Sequence, residues 1–75
     1  MAHPIHPVPP RLSILRRREV EARTGLSRST IYLRIASHAF PSPITLGNGR
    51  AVGWVEEEIE AWLQQQIAAS RKAVK

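Results

Sequence analysis

Apolar residues in the second half of this chain recur at helical spacing. Ile59, Trp62, Leu63 and Ile67 stand at i, i+3, i+4 and i+8, the stripe of an amphipathic helix. Glu56, Glu57 and Glu58 precede it and suit the positive end of a helix dipole. The pattern predicts a helix from Glu56 that fades over residues 70–75, a polar, basic and frayed end. Nearer the start, Leu15, Val20 and Thr24 lie about one turn apart and Gly25 follows, which predicts a short helix over residues 15–24 closed by a left-handed cap. Ser27 is a suitable N-cap for a second helix over residues 28–37. At about 100° per residue this helix turns Ile31, Ile35 and His38 inward, and Ser29, Tyr32, Leu33 and Ala36 outward. Phe40-Pro41-Ser42-Pro43 ends it, because a residue before proline is pushed out of the helical region.

Ile44-Thr45-Leu46 and Ala51-Val52-Gly53-Trp54 flank Gly47-Asn48-Gly49-Arg50, a pattern that reads as a β-hairpin. Two registers compete. A two-residue Asn48-Gly49 turn sets Ile44 and Leu46 opposite Gly53 and Ala51, with Val52 and Trp54 on the other face. A three-residue loop unites all four apolar side chains, and burial favours it, although Arg50 would then occupy a position that prefers glycine. Residues 1–11 contain Pro4, Pro7, Pro9 and Pro10 without periodicity and read as an extended, disordered tail. That leaves residues 12–69 as one domain.

The element order is helix, tight turn, helix, hairpin, helix. It defines a mainly α fold with a small β-hairpin, a winged helix-turn-helix. In that arrangement the second helix enters the DNA major groove while the first helix and the hairpin straddle the backbone.

Charge strengthens this picture. The 75 residues carry eleven Lys/Arg, six Glu and no Asp, a net charge of +5. Residues 1–40 hold seven arginines and two glutamates, while residues 41–75 hold four basic and four acidic groups. The whole excess therefore lies in the first half, where it raises association with polyanions. A chain this short buries only about 60% of its unfolded surface, too little for a deep catalytic cleft. There is no cysteine, hence neither a disulfide nor a thiolate zinc site. His3 and His6 lie in the tail and His38 has no Cys or Asp partner, so no catalytic or metal constellation forms. No cofactor is expected. No apolar run reaches the roughly 18 residues of a membrane span, and the start lacks the order of a signal peptide. We expect a cytoplasmic, nucleoid-associated bacterial protein.

Candidate DNA contacts follow from position. Arg28 can fork onto a guanine edge or a phosphate. Ser27, Ser29 and Thr30 offer hydroxyls at a helix N-terminus that itself attracts phosphate. Thr30 is equally placed to cap its own helix, and Tyr32 can serve as a packing ring as well as a hydroxyl donor. Leu33 lies on the outward face. Arg34 is nearer the core edge, its guanidinium free to snorkel outward. Asn48 and Arg50 occupy the hairpin tip, where Arg50 suits a phosphate or the minor groove. Arg16, Arg17 and Arg18 open the first helix against its dipole, a local cost that suggests a polyanionic partner. Glu56, Glu57, Glu58 and Glu60 would repel phosphates and place the third helix behind the domain, with Trp54 and Trp62 in the core.

With these blocks in place the chain resembles the AlpA family of phage regulatory proteins, small winged helix-turn-helix domains related to phage excisionases and MerR-type regulators. The resemblance covers about residues 14–67. It rests on Arg16, Glu19-Val20, Thr24-Gly25-Leu26-Ser27-Arg28-Ser29-Thr30-Ile31-Tyr32, Phe40-Pro41-x-Pro43, Arg50-Ala51-Val52-x-Trp54 and Glu58-Ile59-x-Ala61-Trp62. Leu33 stands where the family often has arginine, His38 where glycine is common at the helix end, and Val55 is a poor N-cap. The resemblance implies a double-stranded-DNA-binding transcriptional regulator of a prophage or integrated mobile element. Some relatives act instead as recombination directionality factors. A module of another class, a protein-binding adaptor for an integrase or a repressor, would use the same basic face, and an integrase or RNA polymerase is a candidate second partner beside DNA. Multimerisation on DNA is expected, because a single small module buries only about 600–1,000 Å² there.

Overall fold

The computed structural model describes residues 12–73. Its elements run β1 (Ile14–Leu15), α1 (Arg17–Thr24), α2 (Arg28–Ala36), β2 (Ile44–Thr45), β3 (Val52–Val55) and α3 (Glu56–Ala73). The strands form one antiparallel sheet in the order β1-β3-β2. This is a winged helix-turn-helix, with β2 and β3 as the wing. The expected tail over residues 1–11 lies outside the described residues.

The core takes a side chain from almost every element. Leu15, Val20, Ile31, Phe40, Trp54 and Ile59 are buried, and Leu26, Ile35, Val52, Trp62 and Leu63 pack against them. No polar side chain is buried among the described residues. The two indoles grip the bend after α2. Trp54 Nε1 donates to the Pro41 carbonyl at 3.0 Å and Trp62 Nε1 to the Ala39 carbonyl at 2.8 Å. Phe40, between those carbonyls, meets the Trp62 ring edge-on at a centroid distance of 4.8 Å. Trp62 is itself half-buried, so it closes the core at its edge and does not fill the centre.

Three sequence expectations are corrected. The first helix does not include Leu15. Ile14 and Leu15 pair with Val55 and Trp54 instead, and Arg16 is the extended N-cap residue before α1. Two apolar residues fit a helix or a strand equally well, and only the distant partner decides.

The hairpin register is also the one not favoured. Ile44 pairs with Gly53 and Thr45 with Val52, and the Leu46 N–H donates to the Ala51 carbonyl at 2.8 Å. This puts Val52 and Trp54 on the face opposite Ile44 and Leu46. Burial does not forbid it, because both faces of β3 are covered. Gly53 is buried, and a Cβ built there would come within 2.3 Å of Ile14 Cγ2 and 3.4 Å of Leu46 Cδ1. The missing side chain of Gly53 is what lets Ile14 and Leu46 close over that face.

His38 is exposed rather than in the core. It takes φ 61 as the left-handed residue ending α2. The His38 N–H donates to the Ile35 carbonyl at 3.0 Å and the Ala39 N–H to the Arg34 carbonyl at 2.8 Å, the double bond pattern of a Schellman end.

The last helix, α3, continues to Ala73. Arginine, lysine and alanine favour helix there, and Arg71 and Lys72 suit the negative end of its dipole. At its other end the Glu56 N–H donates to the Ser13 carbonyl at 2.8 Å. The segment leading into β1 thus provides the acceptor that Val55, a poor cap, lacks.

Candidate nucleic-acid interface

The helix-turn-helix is fixed by local chemistry. Gly25 adopts φ 75 and its N–H donates to the Glu21 carbonyl at 2.7 Å, stopping α1. The turn then passes through Leu26 to Ser27. The Thr30 N–H donates to Ser27 Oγ at 3.2 Å, and Ser27 Oγ donates to Thr30 Oγ1 at 2.9 Å. Both hydroxyls are therefore engaged in starting α2. Thr30 is half-buried, which favours its capping role over an outward one.

Beyond the cap, Arg28, Ser29, Tyr32 and Leu33 are exposed along α2, whereas Ile31 is buried. Arg34 is half-buried on the flank of the helix. Tyr32 leans toward the wing, its ring meeting Trp54 in a T-shaped contact with centroids 6.3 Å apart. Asn48 and Arg50 are exposed on the wing.

Five of the residues named from sequence gather around one hollow. Arg16, Arg17 and Arg18 from the start of α1, Tyr32 from α2, and Arg50 with Ala51 and Val52 from the wing line an open concavity of about 310 Å³. Four guanidinium groups border it and no carboxylate does. Arg28, Ser29, Leu33 and Asn48 do not line this hollow, and neither does Arg34.

Acidic residues temper the arginines selectively. The Arg16 N–H donates to Glu19 Oε1 at 2.8 Å, which caps α1 against the unfavourable run of positive charge. Arg17 pairs with Glu21 at 2.6 Å, one turn along. A partly exposed i,i+4 pair is worth little, about 0.3–0.5 kcal/mol, and does not prevent exchange onto a stronger anion.

At the far end of α1 the balance differs. Arg23 bonds to Glu56 at 2.5 Å and to Glu60 at 3.4 Å. The hydrogen bond that Arg23 donates to Glu56 raises its pKa further above the ordinary value, against an opposing desolvation and with the charges of Glu56 and Glu60 adding to it. Sequence reasoning missed Arg23. Its only local signal is a basic residue in a last helical turn, and its partners lie more than thirty residues away. The pairing fastens α3 to α1 and holds two of the four α3 glutamates at the end of α1 opposite Arg16, Arg17 and Arg18.

A larger open groove, about 580 Å³, lies between the Phe40-Pro41 bend and α3, with Trp62, Gln65 and Glu58 among its walls. No arginine or lysine borders it, so its size does not make it the place for a polyanion. Among the described residues no group of three or more His, Cys, Asp or Glu side chains could hold a metal ion. No described helix is long and apolar enough to cross a membrane.

Fold and surface together define a small winged helix-turn-helix with a basic concavity beside its second helix. The chain belongs to the family described as Prophage CP4-57 regulatory protein (AlpA), which it matches over residues 13–67. It is similar to the uncharacterised protein ORF88 of Enterobacteria phage P4, at 38% identity over 74 residues, spanning 92% of this chain and 83% of that one. It is also similar to the DNA-binding transcriptional activator AlpA of Escherichia coli K12, at 39% identity over 59 residues, spanning 71% of this chain and 83% of the relative. No solved structure matches it.

Proposed function

We propose that this chain is a sequence-specific, double-stranded-DNA-binding transcriptional regulator of a prophage or integrated mobile element. The observation that carries the reading is the single concavity where Arg16, Arg17, Arg18 and Arg50 converge beside Tyr32, flanking a helix whose first turn is exposed and capped. With α2 in the major groove, Arg28 and Ser29 face base edges. The start of α1 and the wing lie along the two backbones, with Arg50 on a phosphate or in the minor groove and Asn48 beside it. Ser27 and Thr30 build the helix end that attracts phosphate, and Arg34 reaches outward from the flank. Family membership and the likeness to a DNA-binding activator support the same assignment.

On this reading the protein is not an enzyme, works in the bacterial cytoplasm at the nucleoid, and needs no cofactor. Several copies occupy neighbouring sites, since one module contributes only about 600–1,000 Å² of interface.

Salt titration tests it. Five arginine contacts to phosphate predict log K falling against log salt with a slope of about −4 to −5. Duplex affinity that stays weak and independent of salt would overturn the DNA reading in favour of a protein-binding adaptor. Footprinting on the DNA around its own gene then gives the site and the number of copies bound.

A further inference from the structure

Leu33 is an unexplained side chain on the most exposed face of α2. It is 70% exposed, although it sits in the middle of the helix, one turn beyond Ser29 and beside Tyr32. The core does not use it. Ile31 and Ile35 fill the inward side of the same helix. Tyr32, the other large apolar side chain facing out from α2, is explained by its contact with Trp54. Leu33 also lies away from the arginine-lined hollow, and an aliphatic side chain offers nothing to a phosphate.

We propose that Leu33 is a specificity residue that selects a thymine by contact with its 5-methyl group. This rests on the DNA-binding reading above and goes further, naming one element of the preferred duplex. With α2 in the major groove, Arg28, Ser29, Tyr32 and Leu33 are the side chains directed at base edges. The base edges there present hydrogen-bonding groups and one aliphatic group, the thymine methyl. Leu33 against that methyl removes apolar surface from water on both partners. Against cytosine or guanine it would cover a donor or acceptor without pairing it, which is unfavourable. One buried methyl is worth about a fourfold change in affinity.

The test uses the tightest-binding duplex selected by the parent protein from a randomised pool. Each thymine is replaced in turn by deoxyuridine, which removes the methyl group and leaves the pairing intact. The parent is expected to lose about fourfold in affinity at one or two positions. Leu33→Ala should bind the original duplex about fourfold more weakly and be indifferent to uracil at those positions, while Leu33→Met keeps the response. Thermal unfolding checks that both variants are folded, as expected at so exposed a position. A parent indifferent to every replacement overturns the proposal. A Leu33→Ala variant as methyl-sensitive as the parent does so as well, and so does one that loses only cooperativity, which would place Leu33 against a second protein copy. In these three cases DNA binding itself stands. If no duplex is enriched and the parent binds none, both readings fall together.

Discussion

The Tyr32 ring meets the Trp54 indole edge to face, with centroids 6.3 Å apart and planes inclined at 64°. Tyr32 is 39% exposed while Trp54 is fully buried. One ring therefore links the outer face of α2 to the strand that carries the wing. Such a pair contributes about 0.5–1.5 kcal/mol beyond its buried area. Tyr32→Ala should lower the unfolding midpoint and weaken DNA binding together. Tyr32→Phe keeps the ring and should leave stability unchanged, so any loss in its duplex affinity isolates the hydroxyl.

Arg50 joins the wing to the hollow at the start of α1. Arg50→Ala should weaken unrelated duplexes by the same factor and reduce the salt slope by about 1. Binding assays across salt on two sequences measure both quantities. A variant that binds as tightly as the parent would remove the wing from the interface.

Arg28 stands in the first turn of α2. If it forks onto a guanine, Arg28→Ala costs about 1–3 kcal/mol on the selected duplex and relaxes preference at one base pair. Competition against single-base variants reads this directly. Equal loss on every sequence would assign Arg28 to a phosphate instead.

Gly53 is where the sheet has no room. A methyl group there would meet Ile14 Cγ2 at 2.3 Å and the Leu15 carbonyl at 3.2 Å, and Ile14 is β-branched and stiff. Gly53→Ala should cost about 1–3 kcal/mol by overpacking, seen as an earlier urea midpoint. Stability equal to the parent would mean that β1 is free to move aside.

His38 holds φ 61, a conformation that costs a residue with a Cβ about 1–2 kcal/mol. His38→Gly should relieve part of this and stabilise the fold by about 0.5–1 kcal/mol, raising Tm by several degrees, with duplex affinity unchanged. A fall in Tm would show that the imidazole stabilises the fold in a way that the backbone geometry does not reveal.

What the sequence made legible was local. Ser27 caps α2 and Gly25 ends α1 because each signal acts within one turn of its own position, and the periodicity of Ile59, Trp62 and Leu63 needs no distant partner. Three features were hidden because they depend on contacts far along the chain. Ile14 and Leu15 become a strand only by pairing with β3. The hairpin register looked wasteful of apolar surface until Ile14 closed over Gly53. Arg23 finds its carboxylates on α3, which no spacing rule connects to α1. The exposed position of His38 follows from the left-handed turn ending α2, for which histidine gives little warning. The candidate site was readable in its residue types, and its geometry was less so. Arg16, Arg17, Arg18, Tyr32 and Arg50 converge, whereas Arg28, Ser29, Leu33, Arg34 and Asn48 lie outside that hollow.

The pairing of Leu15 with Trp54 also governs how the molecule folds. α2 has nine residues, short of the roughly 12–15 at which an isolated helix begins to persist in water. It acquires its stability from the core in which Ile31 joins Leu15 of β1, Val20 of α1, Trp54 of β3 and Ile59 of α3, and the pairing of Leu15 with Trp54 closes a long loop. Closing so long a loop costs entropy before any contact compensates for it. Folding is therefore expected to be cooperative, with α2 ordered only together with the core. Amide exchange along this helix should track global unfolding, and the exposed face of α2 is expected to form only in molecules in which β1 and β3 have already paired.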